Sequence, residues 1–223
     1  MHAILVSLIL TAGGSVEGTV AVKIDGKPSF VKNALVFIQG YSTDAPAQMP
    51  ELGQSGRAFE KVVLPVVKRS QVKFTNNEPE GIYHHVFNPD PRTKFASKKY
   101  RAHESYQSPV LTYEGPINVF CDIHKEMIST LYVIPNDRFA LLDTAEGDKA
   151  PFRITDVRAG KWKIVAWHRS AAKPVEQEIE IVEGRTAKID LVIEGTSTSA
   201  QSADNHERIG KVKYKDKKPD GGA

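Results

Sequence analysis

Cysteine is almost absent from this 223-residue chain: Cys121 is its single example. One thiol forms no internal disulfide. It also excludes cysteine-rich zinc or iron–sulfur sites, and a dinuclear copper centre bridged by two thiolates. Methionine is nearly as scarce, with three residues, one of them the initiator. No apolar run is long enough to span a bilayer. Segments of helical period are missing, as are Ser/His/Asp, paired-carboxylate and glycine-rich phosphate motifs, which speaks against an attached enzyme. The net charge of +3 is too near balance to imply a nucleic-acid partner.

What is present is strand-like. The chain is 40% hydrophobic, enough for a core. Gly18 to Ile24 alternates and is followed by the turn dipeptide Asp25-Gly26. Ala34–Ile38 is a short, uniformly apolar run, and residues 41–57 read as loop. Strands are expected over Phe59–Val67, Gln71–Phe74, Tyr83–Phe87, Ile117–Phe120 and Ile128–Ile134, the last stopped by Pro135. The pattern restarts with Phe139–Leu142, Phe152–Val157, Lys161–Trp167, Val175–Val182 and Thr186–Ile193. Many short strands with regular turns predict an all-β chain of sandwiches. Ala3–Leu10, followed by small residues, has the length of a secretory apolar core, although no Lys or Arg precedes it. Residues 1–14 are therefore expected to be an export leader, with a buried first strand as the alternative. Residues 195–223 have almost no large apolar side chain and read as a disordered basic tail.

The segment that carries chemistry is Cys121-Asp122-Ile123-His124-Lys125-Glu126-Met127. Taken singly, each residue is ordinary: a buried thiol, a polar strand end, a core thioether. Together they form Cys-x2-His-x2-Met between the end of one strand and the start of the next. With seven histidines and three methionines, that spacing arises by accident with a chance of roughly 0.0004. Thiolate and thioether are soft ligands and imidazole is borderline, a set that selects copper over magnesium, calcium or manganese. A fourth donor can come from His84 or His85 in Tyr83–Phe87. Neighbours on an extended strand face opposite ways, so one of the two can face the ion.

These residues resemble the cupredoxins, the blue copper domains of the plastocyanin, azurin and amicyanin type, over residues 17–135. His84-His85-Val86 matches the family's His-Asn-Val-like motif, with His84 at the ligand position and His85 where asparagine is usual. The resemblance implies a Greek-key β-sandwich and one type 1 copper ion on His84, Cys121, His124 and Met127. It also implies that residue 85 ties the two ligand segments together by hydrogen bonds. Residues 136–194 resemble a carboxypeptidase-regulatory-like, transthyretin-like β-sandwich, through Phe139–Thr144, Phe152–Val157, Ala159–Ile164 and Ala166–His168. Bacterial proteins of methylamine-utilisation type join two such parts.

The expected division is thus a leader over 1–14, a copper domain over 15–135, a second, smaller sandwich over 136–194 and a tail. Phe87, Phe95 and Phe120 are expected to pack around the metal, Trp162 and Trp167 to be core with Trp167 a candidate for the interdomain seam, and His168 to be structural. The expected function is one-electron transfer by a non-enzymatic periplasmic carrier. The cluster Lys94, Lys98, Lys99 and Arg101 would steer an acidic redox partner such as a cytochrome or a dehydrogenase. The alternatives are a copper carrier or store, and an interaction module without electron transfer.

Overall fold

The computed structural model describes residues 13–171 and 173–197. Most of the expected leader and tail, residues 1–12 and 198–223, lies outside the described residues. In chain order the strands are β1 (Gly14–Ile24), β2 (Lys27–Ser29), β3 (Leu35–Gln39), β4 (Glu51–Ser55), β5 (Ala58–Phe59) and β6 (Val63–Val67). There follow β7 (Lys73–Asn76), β8 (Val86–Asn88), β9 (Phe95–Ala96), β10 (Ser105–Gln107), β11 (Gly115–Cys121) and β12 (Ile128–Ile134). The last six are β13 (Phe139–Leu141), β14 (Lys149–Val157), β15 (Gly160–Trp167), β16 (Val175–Ile181), β17 (Thr186–Lys188) and β18 (Leu191–Gly195). The all-β expectation holds. Asp25-Gly26 makes the expected turn, with both residues at positive φ and Ile24 facing Lys27.

The strands form four sheets. β1 gathers β14, β17, β18 and β2, while β13-β3-β15-β16 forms a second sheet. The order β6-β12-β11-β8-β9 makes a third and β10-β7-β4-β5 a fourth. Side-chain alternation shows how they stack. On β3, Val36 and Ile38 join a core with Val16, Val20 and Val22 of β1, whereas Leu35 and Phe37 face the other way, towards Val63, Tyr132 and Ile134. On β12, Tyr132 and Ile134 meet that middle core, and Leu131 and Val133 point into a third one with Leu52 and Phe74. The two inner sheets are covered on both faces, which is why Ala34–Ile38 and Leu131–Ile134 are unbroken apolar runs. Trp167 does lie at the seam, its ring 4.8 Å from that of Tyr132.

Two expectations are corrected. The division into 15–135 and 136–194 does not follow the strand pairing. β1 pairs antiparallel with β14 and parallel with β17 and β18, and β3 lies between β13 and β15. Strands β4–β12, which contain the copper motif, are thus enclosed in the chain between β3 and β13. The valines of β1 announce a buried face, but a strand's own period does not name its partner. The second correction is β4, a strand within the region expected to be loop. It is the polar segment Glu51-Leu52-Gly53-Gln54-Ser55, and it lies between β7 and β5.

Candidate metal centre

The site is built at one end of the third sheet. Cys121 closes β11, opposite Val86 of β8, and its side chain points into the core with Val86, Phe95 and Met127. The chain then makes a short turn in which the Met127 NH donates to the His124 carbonyl (3.0 Å) and the Cys121 NH to the Met127 carbonyl (3.3 Å). Phe120 faces Ile128 as β12 begins, so the loop is the tip of a hairpin whose legs are locked by six facing pairs. His84 approaches from the preceding turn and bridges to Tyr100 by reciprocal backbone bonds of 3.1 and 3.0 Å.

Three donor atoms converge. Cys121 Sγ lies 3.6 Å from His84 Nδ1 and 3.7 Å from His124 Nδ1, and the two Nδ1 atoms are 3.3 Å apart. Metal bonds of about 2.0 Å to imidazole and 2.3 Å to thiolate, opened to between tetrahedral and trigonal angles, give edges of about 3.3 to 3.8 Å. The triangle therefore fits a single transition-metal ion. His84 and Cys121 are wholly buried, Met127 is 1% exposed, and His124 is half-buried. Met127 shares the core of Cys121.

A carboxylate that the sequence analysis did not single out sets the orientation of His84. Glu78, 2% exposed, accepts hydrogen bonds from the Gly56 NH (3.0 Å) and the Arg57 NH, and its Oε1 lies 3.3 Å from His84 Nε2. Burial opposes the charge on Glu78. The two backbone NH groups and the His84 ring outweigh it and hold the carboxyl below its ordinary pKa. A carboxylate can only accept, so Nε2 carries the ring proton and Nδ1 presents its lone pair to the cysteine and to His124. Burial, reinforced by His124, also lowers the pKa of His84 and so favours the neutral ring that a metal requires.

His85 points elsewhere. Its Nδ1 lies 3.3 Å from Asp122 Oδ2, and its carbonyl accepts the Asp122 NH at 3.0 Å. It thus links the His84 segment to the cysteine loop, the task assigned to residue 85 by the resemblance. Of the three expected phenylalanines, Phe95 lies in the core that holds Cys121. Phe87 and Phe120 face each other at 5.7 Å and belong to strand positions one step from Val86 and Cys121, hence to the opposite face of the sheet. The aromatic ring beside His84 is that of Tyr100, with centroids 6.4 Å apart. His168, in the other half of the chain, is satisfied at both nitrogens by Ser170 Oγ (2.7 Å) and the Lys32 carbonyl (3.1 Å), as a structural histidine should be.

The solvent edge of the site is a hollow of about 440 Å³ lined by Arg57, Ile82, Tyr83, Lys99, Ile123 and His124, with Gly81 at its rim. Burial and the Arg57 charge lower the pKa of His124. Lys94, Lys98, Lys99 and Arg101 are exposed nearby in sequence.

No family model and no curated protein matches this chain. Solved structures with partial similarity include a reduced Cu(I) form of an amicyanin mutant, at 17% identity and a TM-score of 0.36, spanning 44% of this chain and 98% of amicyanin. A purple cupredoxin from Nitrosopumilus maritimus is similar at 16% identity and a TM-score of 0.34, spanning 38% of this chain and 99% of its own. A copper-containing nitrite reductase from Thermus scotoductus is similar at 19% identity and a TM-score of 0.37, over 44% of this chain and 25% of the reductase.

Proposed function

We propose that this protein holds one copper ion in a type 1 site through His84, Cys121, His124 and Met127, and that it carries single electrons between redox partners outside the cytoplasm. The reading rests above all on the triangle of Cys121 Sγ and the two Nδ1 atoms, with the His84 tautomer fixed by Glu78. Copper bound there supplies one-electron exchange between Cu(II) and Cu(I). The residues supply the rest. Cys121 ends one leg of the hairpin and Met127 immediately precedes the other, tied to it by the Cys121 NH to Met127 carbonyl bond, so their separation hardly changes. Burial of His84, Cys121 and Met127 excludes water. His124, half-buried at the hollow, is the edge that a partner reaches, and the Lys94–Arg101 cluster steers an acidic cytochrome or dehydrogenase towards it. In this reading the chain is a carrier and not an enzyme. The pair of sheets built on β1 and β3, read as a regulatory-like module, has a structural role.

The test is an absorption and electron-spin spectrum of the protein loaded with Cu(II). An intense thiolate-to-copper band with narrow copper hyperfine splitting is expected, and Cys121→Ser should abolish the band. A colourless protein that takes up Cu(I) alone would instead identify a carrier or store. Unchanged spectra in Cys121→Ser would refute the ligand assignment.

A further inference from the structure

The β4–β5 hairpin turns at Gly56-Arg57, with Ser55 facing Ala58. Both turn residues are left-handed, at φ of 62° and 59°. This is a two-residue turn of the type that favours glycine or asparagine at both central places. An arginine at the second place is a costly choice, because its Cβ crowds the backbone there. Something must hold it, and Glu78 does: the carboxylate accepts the NH of both turn residues and, through Oε1, also faces His84 Nε2. One buried acid therefore fixes the tip of this hairpin and a candidate metal ligand together. The Arg57 side chain then lines the hollow beside His124. Among the described residues neither it nor Lys99, across the same hollow, has an ion-pair partner.

We propose that Arg57, its backbone held by Glu78, places a positive charge on the hollow beside His124 that favours the reduced ion of the electron-transfer centre. The inference rests on the copper reading. Reduction adds one electron, delivered by the redox partner, and lowers the charge of the site by one. A nearby cation stabilises the less positive state and raises the reduction potential. Lys99, on a flexible stem, adds to this effect less stringently.

The experiment is a spectroelectrochemical titration of the copper-loaded wild type, Arg57→Gln, Arg57→Lys and Arg57→Gly, with the absorption spectrum recorded throughout. In Arg57→Gln the Cu(I)/Cu(II) ratio at a fixed potential should fall roughly three- to thirtyfold, where tenfold corresponds to about 59 mV for one electron. Arg57→Lys should restore most of the shift, and added salt should shrink the difference, because the charge is exposed. Arg57→Gly should match the glutamine variant in potential while melting at a higher temperature, which separates charge from backbone strain. Unchanged potential in Arg57→Gln with an intact thiolate band overturns this inference alone, and so does an equal shift in Arg57→Lys. Absence of the band from the wild type overturns the copper reading and the inference with it.

Discussion

His84 illustrates what one neighbour decides. In sequence it shares a dipeptide with His85, and nothing in the alternation of a strand says which of the two faces inward. In the structure His84 is wholly buried against Cys121, while His85 reaches Asp122. The resemblance to a His-Asn-Val motif had favoured His84. The physical reason is the buried carboxylate of Glu78, which accepts the Nε2–H hydrogen bond and leaves the Nδ1 lone pair facing Cys121 and His124. Glu78 lies six positions from His84 in a turn rich in Asn, Pro and Gly, and its sequence signature is that of a solvated loop. Glu78→Gln keeps the shape but loses the charge and one acceptor, since the Gly56 and Arg57 NH groups bond to different carboxylate oxygens and an amide NH2 cannot accept. Copper affinity, measured by competition with a chelator, should fall about 10- to 100-fold, as for other groups that orient a metal's histidine.

At the scale of elements, the cysteine loop was legible because its information is local. Its candidate ligand residues lie within seven positions, and the strand patterns before and after them set the hairpin. β4 was not legible, because Leu52 and Gln54 are its buried side chains of any size and neither glycine nor serine signals a strand. The turn after β15 offers a test that is independent of the metal. His168 Nε2 donates to the Lys32 carbonyl and Nδ1 accepts from Ser170, so the ring is neutral. Burial, the dominant influence, lowers its pKa below the usual histidine value. The unfolded chain then binds a proton more readily than the folded one. Stability conferred by neutral His168 is complete above about pH 6.5 and is lost as the pH falls through that value towards the depressed folded pKa, at up to about 1.4 kcal/mol per pH unit. Denaturant unfolding of wild type and His168→Gln between pH 8 and pH 5 should show a shallower pH dependence in the variant.

At the scale of the whole molecule, the chain leaves one pair of sheets after β3, builds the pair that contains the candidate metal residues, and returns at β13. The middle core of Leu35, Phe37, Val63, Tyr132, Ile134, Val165 and Trp167 joins the two. Gly18 tests this connectivity. A Cβ there would stand 1.6 Å from the Ile189 carbonyl oxygen, a backbone atom with no rotamer to change. Gly18→Ala should therefore destabilise the sheet of β1 by at least about 1–3 kcal/mol, as overpacking does. The thiolate-to-copper band of the folded variant should remain, because β1 shares no sheet with Cys121. If β1 instead belonged with the copper strands, the same substitution would disturb the spectrum as well.

The sequence by itself determined the strand-rich class, the Asp25-Gly26 turn and the three candidate donors Cys121, His124 and Met127, because each rests on spacing within a few residues. The tertiary structure decided the rest: that β1 closes on β14, β17 and β18, that His84 rather than His85 meets the thiol, and that Glu78 holds both His84 and the Arg57 turn. Those contacts join residues from separate turns and strands. Pairing between distant segments depends on which faces can be buried together, and a strand's period states only that it has a face to bury.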